Sequence, residues 1–255
     1  MELQRMSDTV FLIMIPIAAL AGFVTSIAGG GGILFVTSAI ALGMPSLNAL
    51  ALNRITDIGV LTGCFNNFRK VPAIPWKAIK IFTPLFLIGA IGGATFSVSI
   101  PDDLLQYILI GASILAISLV IVKPRPQVTT GRKFMLVGYF CVFLVGFWDG
   151  AIAMAGTTFF MIATHYFFGM DYMKGRVVHM FVAIPETLVS AAILTYHSTV
   201  TWQTAIILYL AATVGAVIGS KLVISKGHEF IRVGMIAISA VMIAKLVIYD
   251  MFLKS

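Results

Sequence analysis

The sequence predicts an all-α integral membrane protein made of two inverted repeats, each a broken, re-entrant helix pair followed by three transmembrane helices. Three observations predict this. First, 60% of the 255 residues are hydrophobic and only 11% are charged, a balance that excludes an ordinary soluble domain. Second, apolar runs of about 20 residues recur along the whole chain, the length a helix needs to span a bilayer. Third, the chain repeats with a period of about 125 residues, the kind of self-similarity that fixes an architecture. Gly22-Phe23 matches Gly146-Phe147, Gly43-Met44 matches Gly169-Met170, and Trp76 matches Trp202. Gly89-Ala90-Ile91-Gly92-Gly93 likewise matches Gly215-Ala216-Val217-Ile218-Gly219.

The first repeat, residues 1–126, opens with an apolar run over 9–42, followed by helices over 46–68, 78–99 and 103–122. The second, residues 127–255, opens with a run over 134–168, followed by helices over 172–195, 203–223 and 229–250. The linker is Lys123-Pro124-Arg125-Pro126-Gln127 through Gly131-Arg132-Lys133. Ala19-Leu20-Ala21 imitates a signal-peptidase site. Glu2 and Asp8 against Arg5 leave no positive head before it, so the segment is expected to be retained.

Each opening run is too long for one crossing. A straight helix over 9–42 would measure about 51 Å against a hydrocarbon core of about 30 Å. If each run crosses once, Lys and Arg divide 11 to 6 between the two sides. If each run enters and returns, they divide 13 to 4. The positive-inside bias favours the second count, with the basic loops in the cytoplasm and both termini outside. A hairpin plus three spans is an odd number of crossings, so the halves have opposite orientation. The net charge of +7 sits in short loops, where topology and anionic membrane lipids explain it and nucleic acid is not needed.

The breaks themselves carry the candidate chemistry. Ala28-Gly29-Gly30-Gly31-Gly32 interrupts the first run and Ala153-Met154-Ala155-Gly156-Thr157-Thr158 the second. Consecutive glycines cost a helix about 1 kcal/mol each against alanine, so a turn or a function must offset them. Glycine lets backbone N–H groups converge, and a half-helix starting near Ile33 would point its positive end at the same spot. Gly29, Gly30, Gly31, Gly32, Gly156, Thr157 and Thr158 are therefore expected to bind a small anion. A close-packed helix crossing is the alternative.

Ionisable residues inside spans are functional candidates in their own right. Asn53 and Asp57 share a face at i,i+4, and Arg54 reaches Asp57 at i,i+3. Asn53 and Arg54 are candidate substrate ligands, Arg54 through its planar fork; a structural Arg54–Asp57 pair is the alternative. His179 matches Asn53 in the second half and is a further candidate ligand. Glu186 stands two turns further along, past Pro185. Asp149, Glu186 and Asp57 are candidates for coupling to a proton, with His179 as a relay. Simple hydrogen bonding within the bundle is the alternative. Gly89-x-x-x-Gly93 and Gly215-x-x-x-Gly219 are read as close-packing motifs, and Trp76 and Trp202 as interface anchors.

The isolated Cys64 and Cys141 provide neither a disulfide framework nor a metal spacing. No metal-ligand cluster, nucleophile elbow or phosphate loop is present, so no cofactor is expected.

Gly22-Phe23-x-x-Ser26-x-x-Gly29-Gly30-Gly31-Gly32, then Gly43-Met44-Pro45 and Ala51-Leu52-Asn53-Arg54, resembles the first half of the TauE/SafE family. Gly146-Phe147-Trp148-Asp149-Gly150, Gly169 and the helix from Trp202 to Gly219 resemble its second half. The resemblance implies a bacterial inner-membrane exporter of sulfite, small organosulfonates or related anions. Thr25 stands where Asp149 stands in the other half, a place where the family often has an acid. Ala153-Met154-Ala155 replaces glycines common in the family, and Arg54 and His179 stand where lysine and asparagine are expected. The expected function is a secondary transporter of a small sulfur oxyanion by alternating access. The alternatives are a membrane enzyme using His179 with Glu186, and an assembly protein that transports nothing.

Overall fold

The computed structural model describes residues 2–121 and 132–226. The helix expected over 229–250, the domain boundary at 126/127 and the linker from Lys123 to Gly131 lie outside them. Nine helices are present among the described residues: α1 (Glu2–Ala28), α2 (Gly31–Ala41), α3 (Ser46–Phe68), α4 (Trp76–Ser99), α5 (Asp102–Ile121), α6 (Arg132–Ile152), α7 (Gly156–Phe168), α8 (Tyr172–Tyr196) and α9 (Trp202–Lys226). Both opening runs are broken at the expected glycine-rich points. The matched residues behave alike. Trp76 and Trp202 each begin a helix, and Gly43 and Gly169 each hold a left-handed φ just past a helix end, at 84° and 64°.

The chain is turned inside out relative to a soluble protein. Large apolar side chains on the outside of α1, α4, α6 and α9 are exposed, among them Leu20, Ile88, Leu136 and Val214. Asn53, Arg54, Asp149, Arg176, His179 and Glu186 are buried. α1, α4, α6, α8 and α9 each hold a stretch long and apolar enough to cross a bilayer, from Val10–Ile27 to Trp202–Lys226. The polar helix α3 packs against α9, α8, α2 and α1. Such a polar segment is tolerated at membrane depth because protein surrounds it.

Helix directions follow from the close glycine contacts. Gly215 of α9 lies against Ala19 of α1, and Gly219 against Phe23 and Ser26, so α1 and α9 run the same way. Gly59 and Gly63 of α3 meet Tyr209 and Thr213 in turn, so α3 also runs with α9. Since α1 and α3 are parallel, the chain between them must turn back. It does so at the first break, where Gly31 folds against Ala21 and Thr25. On the other side, Gly89 and Gly93 of α4 meet Phe143 and Phe147 of α6. These small-residue faces bring backbones into direct contact, the packing expected of the motifs. α3 and α8 run antiparallel: Arg54 meets Glu186, while Cys64 meets Arg176. Asp102 at the start of α5 caps α3, accepting from the Ser46 and Leu47 amides at 3.1 and 3.0 Å.

Candidate binding site at the two helix breaks

The first break is made by Gly29 and Gly30, with φ of 80° and 83°, and α2 restarts at Gly31 rather than near Ile33. The second is made by Ala153 and Ala155, with φ of 55° and 60°, and α7 restarts at Gly156. A left-handed alanine costs roughly 1–2 kcal/mol that glycine avoids. The second break therefore holds strain that the first does not. Neither restart has a side-chain cap, whereas Asp171 caps α8 by accepting from the Lys174 amide at 2.7 Å. The starts of α2 and α7 thus present the positive end of each helix without a cap from the residue at the N-cap.

The breaks touch. A Cβ on Gly29 would stand 2.7 Å from the Thr157 Cβ and 2.8 Å from the Thr158 hydroxyl. Gly32 lies against the Ala153 carbonyl, and Asn53 Nδ2 donates to that same carbonyl at 2.8 Å. Gly156 leaves room for the Asp149 side chain, which a Cβ there would strike. Asn53 thus braces one half against the break of the other.

Beneath the contact lies a charge cluster. The Arg54 guanidinium, 1% exposed, sits 3.7 Å from Asp57, 3.6 Å from Asp149 and 3.4 Å from Glu186. It also donates to the Asp149 carbonyl. Glu186 is fully buried and accepts from Thr187 at 3.0 Å and Ser190 at 3.1 Å. A buried arginine is costly unless paired, and three carboxylates oversupply the pairing. Arg54 therefore serves a cage of acids drawn from three helices and both halves. His179 is not hydrogen-bonded to that cage. Its ring packs edge-on to Phe86 and Phe160, with centroids 5.6 and 5.1 Å away, and neither ring nitrogen has a hydrogen-bond partner.

A cavity of about 40 Å³ lies between the breaks. Gly30 and Gly32 line it from the first half, Gly156 and Thr157 from the second, and Arg54, Asp57, Asp149 and His179 complete much of its wall. The other candidates stand behind this lining. Gly29, Gly31 and Thr158 hold the breaks together, Asn53 braces them, and Glu186 lies behind Arg54.

Arg176 is not among the residues singled out from the sequence. It is 1% exposed, lines the cavity and has no carboxylate within 4.0 Å among the described residues. Its Nε donates to the Ser26 carbonyl at 3.2 Å and an Nη to Thr25 at 3.3 Å, with the guanidinium over the Phe68 ring at 5.0 Å. A signal was available: Arg176, His179, Ala183 and Thr187 follow helical spacing, and all four face the cavity.

Comparison with known proteins agrees with this architecture. Residues 14–246 match the sulfite exporter TauE/SafE family. The chain is 30% identical over 240 residues to the probable membrane transporter protein YfcA of Escherichia coli (strain K12), covering 92% of this chain and 88% of that one. It is 25% identical to a probable membrane transporter protein of Haemophilus influenzae, covering 93% and 94%. It is 24% identical to the probable membrane transporter protein ORF9 of Sinorhizobium sp, covering 90% and 89%. No solved structure gives a significant match. With its family match spanning nearly the whole length and its helices suited to a bilayer, this multi-pass membrane protein belongs to the TauE/SafE family.

Proposed function

We propose that the protein is a secondary transporter that exports a small sulfur oxyanion, sulfite or the head group of an organosulfonate, by alternating access between two oppositely oriented halves. One observation carries the reading: two helix starts, one from each half and neither capped by its N-cap side chain, face a single cavity. Converging N–H groups and dipoles favour negative charge there. Thr157 adds a hydroxyl. The cavity size is in keeping with a small guest. At roughly 10–15 Å³ for each water site, about 40 Å³ suits a few waters or one compact oxyanion group. The antiparallel setting of α3 against α8 supports opposed halves, because these helices hold matching places in the repeat.

The acid cage supports coupling to protons. An anion entering beside Asp57, Asp149 and Glu186 meets repulsion that protonation relieves, so anion and proton favour each other's binding. In this reading the carboxylates around Arg54 hold the coupling proton, and the bacterial inner membrane supplies the gradient.

Flux of labelled sulfite or a sulfonate into proteoliposomes tests the reading. Saturable flux is expected, and Gly30→Leu with Gly31→Leu should abolish it. Folded, monodisperse protein without flux for any of a panel of small anions would contradict transport. Unchanged cellular function in the double variant would point instead to an assembly role.

A further inference from the structure

We infer that Arg176, and not Arg54, is the cation that contacts the transported anion; the inference rests on the anion-transport reading above. The two arginines are equally buried, at 1% exposure, and both line the cavity. Their surroundings differ in charge. Arg54 has Asp57, Asp149 and Glu186 within 3.7 Å, so an incoming anion would compete with three carboxylates already in place. Arg176 has only neutral partners among the described residues: the carbonyls of Thr25 and Ser26, the Cys64 sulfur at 3.8 Å and the face of Phe68. A guanidinium that gave up water for carbonyls and an aromatic face has no counter-charge in contact with it among the described residues, and Asp57 acts on it only from beyond 4.0 Å. An anion in the cavity supplies that contact.

Position strengthens the case. The carbonyls that Arg176 holds belong to the last turn of α1, directly before the first break. The same side chain thus borders the cavity and fixes the helix whose end forms the break. The cavity wall beside it includes Thr25, Thr157 and His179, whose ring nitrogens have no hydrogen-bond partner. Together these offer the guanidinium N–H groups not engaged with α1, two hydroxyls and an imidazole. That donor set suits a trigonal or tetrahedral oxyanion with several acceptor oxygens. A halide would use only part of it. The ligand class assigned to Arg176 is therefore an –SO₃ group, free or on a small organic body.

The test separates this from a purely structural role in holding α1. Protein labelled with ¹⁵N at arginine side chains is titrated with methanesulfonate, and the Nε signals of Arg176 and Arg54 are followed, assigned through Arg176→Lys. The Arg176 signal is expected to shift and saturate with the anion while Arg54 moves little. The reverse pattern overturns the inference and leaves transport standing. No saturable shift at either arginine, together with no saturable flux, overturns the transport reading. As a second measurement, Arg176→Gln should weaken methanesulfonate binding about tenfold or more, since hydrogen bonds to charged groups are the strong ones. Arg176→Lys should recover part of that loss. Wild-type affinity in a folded Arg176→Gln protein also overturns the inference.

Discussion

Ala153 and Ala155 adopt the same left-handed backbone that Gly29 and Gly30 adopt in the other half. The same exchange of side chain should therefore have opposite effects in the two breaks. Ala155→Gly is expected to stabilise the protein by about 1 kcal/mol through relief of the left-handed penalty. Gly29→Ala is expected to cost about 1–3 kcal/mol, because it adds both the strained φ and a Cβ pressed against Thr157. Thermal unfolding in detergent measures both, and equal signs would contradict the account. The Arg54 cage makes a second residue-level prediction. Removing the cation paired with Asp57, Asp149 and Glu186, as in Arg54→Met, should cost about 3–5 kcal/mol. Glu186→Gln should cost clearly less, since Arg54 keeps Asp57 and Asp149. The same unfolding experiment ranks the two variants, and the reverse order would refute the cage.

At the scale of elements, the glycine-lined crossings of α1 with α9 and α4 with α6 hold the two halves together. Gly215→Ala places a methyl on the Ala19 carbonyl, and Gly93→Ala places one on the Phe147 carbonyl. Each is expected to cost about 1–3 kcal/mol by overpacking, read as lower thermal stability and a loss of monodisperse protein. The helices themselves were legible in the sequence because apolar runs, breaks and starting tryptophans are local signals. The helix over 46–68 was read as it stands, and the other described helices within a few residues, the start of α1 excepted. α1 begins earlier than read, at Glu2, because polar residues outside an apolar run can still be helical. Partner choice was not legible in the same way. Arg54 was read with Asp57, its neighbour on one helix, whereas Asp149 and Glu186 reach it from the other half of the chain. Arg176 was lost because proximity to a basic loop hid a helical stripe whose facing partner, the end of α1, lies 150 residues away.

For the whole molecule, the charges around the cavity set the sign of a pH response. Asp57, Asp149 and Glu186 face it or stand directly behind it, with Arg54, Arg176 and His179. As pH falls, the carboxylates take up protons and lose negative charge. Every step makes the cavity more attractive to an anion. Methanesulfonate keeps its charge over the neutral and mildly acidic range, so its binding reports the protein alone. Its affinity should rise as pH falls, and Asp149→Asn should flatten the profile. A flat wild-type profile, or affinity that rises with pH, would rule out the proposed coupling.

The central claim is that the two breaks hold an oxyanion between them, and an electron-density or cryo-EM map with selenite, a heavier relative of sulfite, tests it most directly. The account predicts density in the cavity bounded by Gly30, Thr157 and Arg176. An empty cavity at saturating selenite in a folded protein that transports it, with density at some other place along the path, would contradict it.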